Sequence, residues 1–137
     1  MADWKIFSAA HQLVYRLSNG KIGSRLAGVD MVVIYCVGRK SGQIRPIPIA
    51  CYPHGNNVAV VASNNGNDHD PVWWLNLKAT PNVEIQLGSQ KFKVVAEEVV
   101  GIERDNFWPE IVKLNPLQQR HQDHTSRLLP VVYLKRV

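Results

Sequence analysis

An uninterrupted apolar run, Met31-Val32-Val33-Ile34-Tyr35-Cys36-Val37, constrains the fold of this chain more than any other feature. It is too short for a helix of its own and rich in β-branched side chains, so it predicts a strand over 30–37 buried on both faces. Gly38-Arg39-Lys40-Ser41-Gly42 then turns the chain, with a glycine at each end. A second strand over 44–52 contains Pro46 and Pro48. Each proline removes a ladder donor, which places that strand at an edge or in an irregular position. A hairpin about the turn sets Cys36 near Arg45 rather than near Cys51, so no disulfide is expected.

The remaining pattern is mixed. Trp4, Phe7, Ala10, Val14 and Leu17 follow helical spacing over 3–18, with Asn19-Gly20 as the stop. A glycine-rich loop over 20–28 precedes the first strand. A third strand is expected over 57–63. Asp70-Pro71 opens a helix with Asp as the cap and Pro at the first helical position, and Thr80-Pro81 ends it. Strands over 83–87 and 90–100, a helix over 102–114 containing Pro109, a polar segment over 115–127 without clear periodicity, and a last strand over 130–136 complete the chain. About six antiparallel strands with short connections and flanking helices predict a small β-barrel with helices outside. A length of 137 residues suits one domain, 1–137. The first residues lack the apolar core of a secretory signal, no run is long enough to span a bilayer, and a cytoplasmic protein is the default expectation.

The net charge is +5, and its placement carries the information. From Trp4 to Asn67 there are seven Lys or Arg and one acid, Asp30; from Asp68 to Val137 nine bases face nine acids. This predicts an anionic partner for the first half: nucleic acid, acidic lipid or a phosphorylated small molecule. Arg39, Lys40 and Ser41 in the glycine-flanked turn, with Arg45, form a candidate phosphate or carboxylate clamp. The plain alternative is a solvated basic turn. No P-loop is present. The polar loop Ala62-Ser63-Asn64-Asn65-Gly66-Asn67 leads into a helix N-terminus and can also hold an anion. Trp73 and Trp74 either wall a planar ligand or divide between core and surface. His69 stands between two aspartates, and His121 and His124 share a helix face at i, i+3, but spacing assembles no metal site. No nucleophile elbow, CxxC or carboxylate pair supports hydrolytic chemistry.

Taken in order, several segments resemble the deazaflavin (coenzyme F420)-dependent nitroreductase and quinone reductase family. They are Tyr15-Arg16-Leu17-Ser18-Asn19-Gly20-Lys21-Ile22-Gly23, Val37-Gly38-Arg39-Lys40-Ser41-Gly42, Arg45 with Pro48, Val61-Ala62-Ser63-Asn64-Asn65-Gly66, the stretch from Asp70 to Pro81, and Thr125-Ser126-Arg127-Leu128-Leu129-Pro130-Val131-Val132. The resemblance implies a split β-barrel of the FMN-binding type and a reduced deazaflavin cofactor whose tail carries a phosphate and glutamates. It places Arg39, Lys40, Ser41 and Arg45 on the acidic tail, Ala62, Ser63 and Asn64 near the phosphate or ring, Trp73 near the ring, and Pro48 and Ile49 on the strand beside it.

The departures from the family pattern fall mainly on the substrate side, and Asn64 stands where the family often carries a lysine after the loop serine. Asn115, Gln118 and His121 stand where some members carry tyrosines spaced by three, and Ala50 replaces a further tyrosine. These four, with Trp74, are the expected substrate wall. His121 and His124 are the candidate proton donors, since imidazole titrates near neutral pH. The implied activity is hydride transfer from reduced deazaflavin to an electron-poor small molecule such as a quinone, enone or nitro compound. A non-catalytic deazaflavin or FMN carrier is the alternative. Nucleic-acid binding is not expected, because the bases fall in a turn and loops without a reading module. Peripheral membrane contact through helix 3–18 and a homodimer stay open.

Overall fold

In the computed structural model of the chain, residues 25–26 and 29–137 are described. The expected helix over 3–18, and any membrane contact through it, lie outside the described residues. The apolar run becomes β2 (Val29–Val37), preceded by a two-residue strand β1 (Arg25–Leu26) inside the stretch expected to be loop. The other strands are β3 (Ile44–Ala50), β4 (Tyr52–His54), β5 (Asn57–Val61), β6 (Asn82–Leu87), β7 (Gln90–Val99) and β8 (Val131–Arg136). The helices are α1 (Val72–Ala79), α2 (Gly101–Leu114) and α3 (Leu117–Asp123), with a 3-10 turn at Asn64–Gly66.

All strand pairs are antiparallel, in the order β1-β2-β6-β7-β8-β5-β4, with β3 also paired to β2. The count of eight exceeds the expected six for two reasons. One is β1. The other is that the expected strand 44–52 breaks at Cys51, where the chain changes partner: β3 pairs with β2, and β4 pairs with β5. Because β3 and β4 are consecutive in the chain, this change joins the two ends of the sheet and curls it into a barrel. The Cys51 N–H donates to the Asp30 carbonyl at the crossing, 2.9 Å. Pro46 and Pro48 fit here because β3 has β2 as its one paired neighbour among the described residues. Cys36 lies opposite Arg45 as expected; both cysteines are free and buried, and burial pushes each thiol up to about 12.

The period of two sorts the apolar residues into two cores. Val32, Ile34, Cys36, Val60, Ile85, Val94, Val132 and Leu134 point into the barrel, with Trp74 and Leu77 of α1 completing that cluster. Ala59, Val61, Val131 and Tyr133 face outward and are covered by Phe107 and Ile111 of α2. Val33 and Tyr35, on the other face of β2, are buried too, so that strand is covered on both sides as its unbroken apolar run requires.

One local expectation is corrected. Pro71, not Asp70, stands at the N-cap of α1, and no side chain caps the helix. The Asp70 carboxylate is drawn instead to Arg127, 2.9 Å away, with Lys78 at 3.9 Å. A charged, partly buried arginine outcompetes the helix N–H groups for it.

Candidate functional site

The 38–42 turn is tightly closed on itself. Gly38 N–H donates to the Gln43 carbonyl and Gly42 N–H to the Gly38 carbonyl, each at 2.8 Å, and Gln43 N–H donates to Ser41 Oγ at 3.1 Å. Arg39 N–H donates to Asn76 Oδ1 at 3.1 Å. These four backbone donors are consumed inside the protein, so the turn offers its side chains to a ligand, with the N–H groups of Lys40 and Ser41 outside that set. The side chains are suitable. Arg39, Lys40 and Arg45 are exposed, and no carboxylate among the described residues pairs with them. Asn76, buried on α1, also accepts from Arg39 Nη1 at 2.9 Å, which orients the guanidinium and leaves its other nitrogens free. Sequence reasoning missed Asn76; the signal was an amide on the buried face of an otherwise apolar helix.

The 62–67 loop leaves β5 and enters α1. Asn64 and Asn65 have φ of 47° and 57°, and Gly66 has 81°. Asparagine tolerates this left-handed backbone better than most residues. Ser63 before them is right-handed, with φ −78° and ψ −30°. A right-handed residue followed by a left-handed one turns successive N–H groups toward one concavity, a known anion nest. The N–H groups of Ser63 and Asn64 have no acceptor among the described residues. Ala62 is fully buried, so it presents backbone only, whereas Ser63 and Asn64 are half-buried and reachable.

Helix α3 packs directly on this loop. A Cβ on Gly66 would lie 2.6 Å from the His121 carbonyl oxygen and 2.9 Å from His124 Cβ. His121 and His124 are thus brought to the loop that carries Ser63 and Asn64, a juxtaposition spacing did not reveal. Burial lowers the His121 pKa from its ordinary value, the neighbouring His124 adds to this, and a hydrogen bond with the Asn65 backbone opposes it. His124 is exposed at the end of α3.

The expected substrate wall divides. Trp74 is 3% exposed and belongs to the barrel core, which removes it from any ligand surface; its neighbour Trp73 is half-buried against the same core. Gln118 is also buried, and its Nε2 donates to the Tyr52 hydroxyl at 2.8 Å; Asn115 Nδ2 donates to the same oxygen at 2.9 Å. Both amides are spent on holding α3 and its approach to β4. Ala50 is half-buried against the outer core, Ile49 is half-buried against the barrel, and Pro48 is exposed.

Arg127 is the residue that sequence reasoning left without a role. Its Nε donates to the Asn67 carbonyl at 2.8 Å, Nη2 to the Ser63 carbonyl at 2.9 Å and more loosely to the Ala62 carbonyl at 3.4 Å, and Nη1 meets Asp70 at 2.9 Å. Thr125 Oγ1 donates to Asp68 Oδ1 at 2.9 Å, so the segment after α3 grips the loop twice.

A curled antiparallel barrel with a free cationic turn and an N–H nest defines a split-barrel protein suited to a ligand with acidic groups. The family model for F420H(2)-dependent quinone reductase matches residues 8–136, and the chain belongs to that family. It is similar to the F420H(2)-dependent quinone reductase Rv1261c of Mycobacterium tuberculosis (strain H37Rv), 36% identical over 131 residues, covering 92% of this chain and 87% of the relative. Among solved structures it resembles an F420-H2 dependent reductase (FDR-A) with a TM-score of 0.71 and 33% identity, covering 77% of this chain and 93% of the other. A chain described as a domain-swapped dimer matches with a TM-score of 0.73 and 28% identity, covering 94% and 98%. No described helix is long and apolar enough to cross a membrane.

Proposed function

We propose that this chain transfers a hydride from reduced coenzyme F420 to a quinone or a similar electron-poor acceptor. The observation that carries the residue assignment is the set of three exposed cations, Arg39, Lys40 and Arg45, unpaired by carboxylates, with Arg39 pre-oriented by Asn76. Such a set suits a flexible tail of phosphate and carboxylates, since guanidinium and ammonium groups meet anionic oxygens with charge-assisted bonds. When bound, the reduced deazaflavin supplies the hydride, and the protein supplies binding, orientation and exclusion of water.

In this reading Arg39, Lys40 and Arg45 hold the tail, with the Ser41 hydroxyl beside them. Ser63 and Asn64 hold the phosphate or a ring oxygen through their N–H groups, and Ala62 contributes backbone only. Trp73 flanks the ring, with Pro48 and Ile49 on the strand beside it. The acceptor meets Ala50, His121 and the half-buried Asn115, whose Nδ2 is taken by Tyr52 while its Oδ1 is not. Trp74 and Gln118 are left out because both are buried. His121 or His124 delivers the proton that accompanies reduction. A homodimer belongs to the same proposal, supported by the similarity to a chain described as a domain-swapped dimer.

Titration of the purified protein with F420 and, separately, with FMN tests the cofactor. Tight binding of F420, and its oxidation from the reduced form by an added quinone, is the expected result. Binding of FMN alone would overturn it, and F420 binding without turnover across a panel of acceptors would make the chain a carrier. Charge reversal at Arg39 and Lys40 is expected to weaken F420 binding by roughly tenfold or more, with reversal at Lys91 and Lys93 having a much smaller effect. If His121 is the proton donor, turnover falls as pH rises through a pKa below the ordinary imidazole value, because the acid form is then depleted. His121→Ala would flatten that limb; an unchanged profile would pass the role to His124 or to solvent.

A further inference from the structure

We infer that Arg127 is a positioning residue that builds the anion-binding face of the 62–67 loop, although it points to the opposite face. This inference deepens the proposed function by assigning a second, distal residue to the cofactor side of the site.

The geometry follows from the peptide unit. In a trans peptide the carbonyl and the next N–H point in opposite directions across a rigid plane. The Ser63 carbonyl accepts from Arg127 Nη2 at 2.9 Å and from Gly66 N–H at 2.9 Å. The Asn64 N–H shares that plane and must therefore aim away from Arg127. The Ala62 carbonyl leans toward the same Nη2 at 3.4 Å, which turns the Ser63 N–H outward as well. Neither of these two N–H groups finds an acceptor among the described residues, and Arg127 meets the carbonyl that shares the plane of each. Carbonyl dipoles gathered on a cation at one face leave the positive ends of the same dipoles at the other, which suits an anionic oxygen.

The guanidinium is itself well held. Asp70 neutralises it at Nη1, the Asn67 carbonyl takes Nε, and its side chain is 17% exposed. Gln122 of α3 brackets the backbone around it, donating from Nε2 to the Arg127 carbonyl at 2.8 Å and accepting the Leu129 N–H at Oε1, 3.0 Å. A lysine at this position would bring one point charge in place of a fork that spans three carbonyls and a carboxylate.

The test is a ¹H–¹⁵N correlation spectrum of the full chain titrated with inorganic phosphate and, separately, with oxidised F420. In the unaltered protein the Ser63 and Asn64 amide protons are expected to move downfield with both probes. In Arg127→Gln those two responses should be lost and phosphate affinity should fall by roughly tenfold, with Arg127→Lys falling between. Thr125→Val removes the bond to Asp68 and the weaker bond that Thr125 Oγ1 accepts from the Arg127 N–H at 3.3 Å, while the guanidinium keeps its partners at the Ser63 and Ala62 carbonyls. It is expected to lower stability while the two amides still respond, which separates positioning from general support of the loop. Should Arg127→Gln fail to fold, Arg127→Lys decides. The inference is overturned if neither amide moves in the unaltered protein, or if both move undiminished in a folded Arg127 variant. Phosphate shifts without F420 binding would sink the cofactor assignment and leave the inference standing.

Discussion

Gly66 shows how much a single position decides. Its φ of 81° lies where side chains are strained, and an added Cβ would fall 2.6 Å from a backbone oxygen of α3. Gly42 has a similar φ, 73°, but open space around it. Gly42→Ala is therefore expected to cost about 1 kcal/mol for the backbone alone, while Gly66→Ala should cost about 3 kcal/mol because the helix must also move. Urea denaturation of the two variants checks this; equal losses would mean that α3 yields freely. At this scale the sequence was readable in part. The basic turn and the polar loop are local patterns, and both were seen. The use of each donor was not, because whether an N–H is free depends on partners distant in sequence. The Arg39 N–H ends on Asn76, and the Ser63 carbonyl on Arg127.

Helix α3 illustrates the same limit for an element. Its sequence, Leu-Gln-Gln-Arg-His-Gln-Asp, has one apolar residue, and that residue, Leu117, is exposed. No hydrophobic period exists to predict such a helix, so 115–127 read as ambiguous. It docks through polar groups: Gln118 on Tyr52, Gln119 accepting from Trp108 Nε1 at 2.9 Å, and Gln122 on the following segment. Tyr52 is 1% exposed, so its hydroxyl is the buried anchor of this set. Tyr52→Phe is expected to cost about 1–3 kcal/mol, because two amide donors lose their acceptor and one of them is buried. Pairing it with Gln118→Leu should recover part of the loss, since removing both partners costs less than orphaning one. Strictly additive losses in chemical denaturation would show that the Tyr52–Gln118 bond carries no coupling.

For the whole molecule, about six antiparallel strands with short connections foretold a barrel, but not how it closes. Closure depends on the partner change at Cys51, and Cys51 is one more apolar residue within an apolar stretch. The charge division was legible, and the fold gives it a location. Among the described residues, the free cations of the first half, Arg39, Lys40 and Arg45, gather at one hairpin, while Lys135 of the second half pairs with Glu97 at 3.1 Å, and Arg104 is buried against Trp108. An exposed cationic hairpin acting on a flexible acidic tail is screened by salt, whose Debye length is about 8 Å at physiological ionic strength. F420 binding is therefore expected to weaken by roughly tenfold as salt is raised into the molar range. A deazaflavin lacking the phosphate and glutamate tail should bind more weakly, with an affinity nearly independent of salt. Isothermal titration with both ligands across a salt series makes the comparison, with Arg39→Ala and Lys40→Ala bringing the salt slope of F420 toward that of the tailless ligand. Parallel slopes for the two ligands would locate the tail elsewhere on the barrel and leave the hairpin a solvated surface.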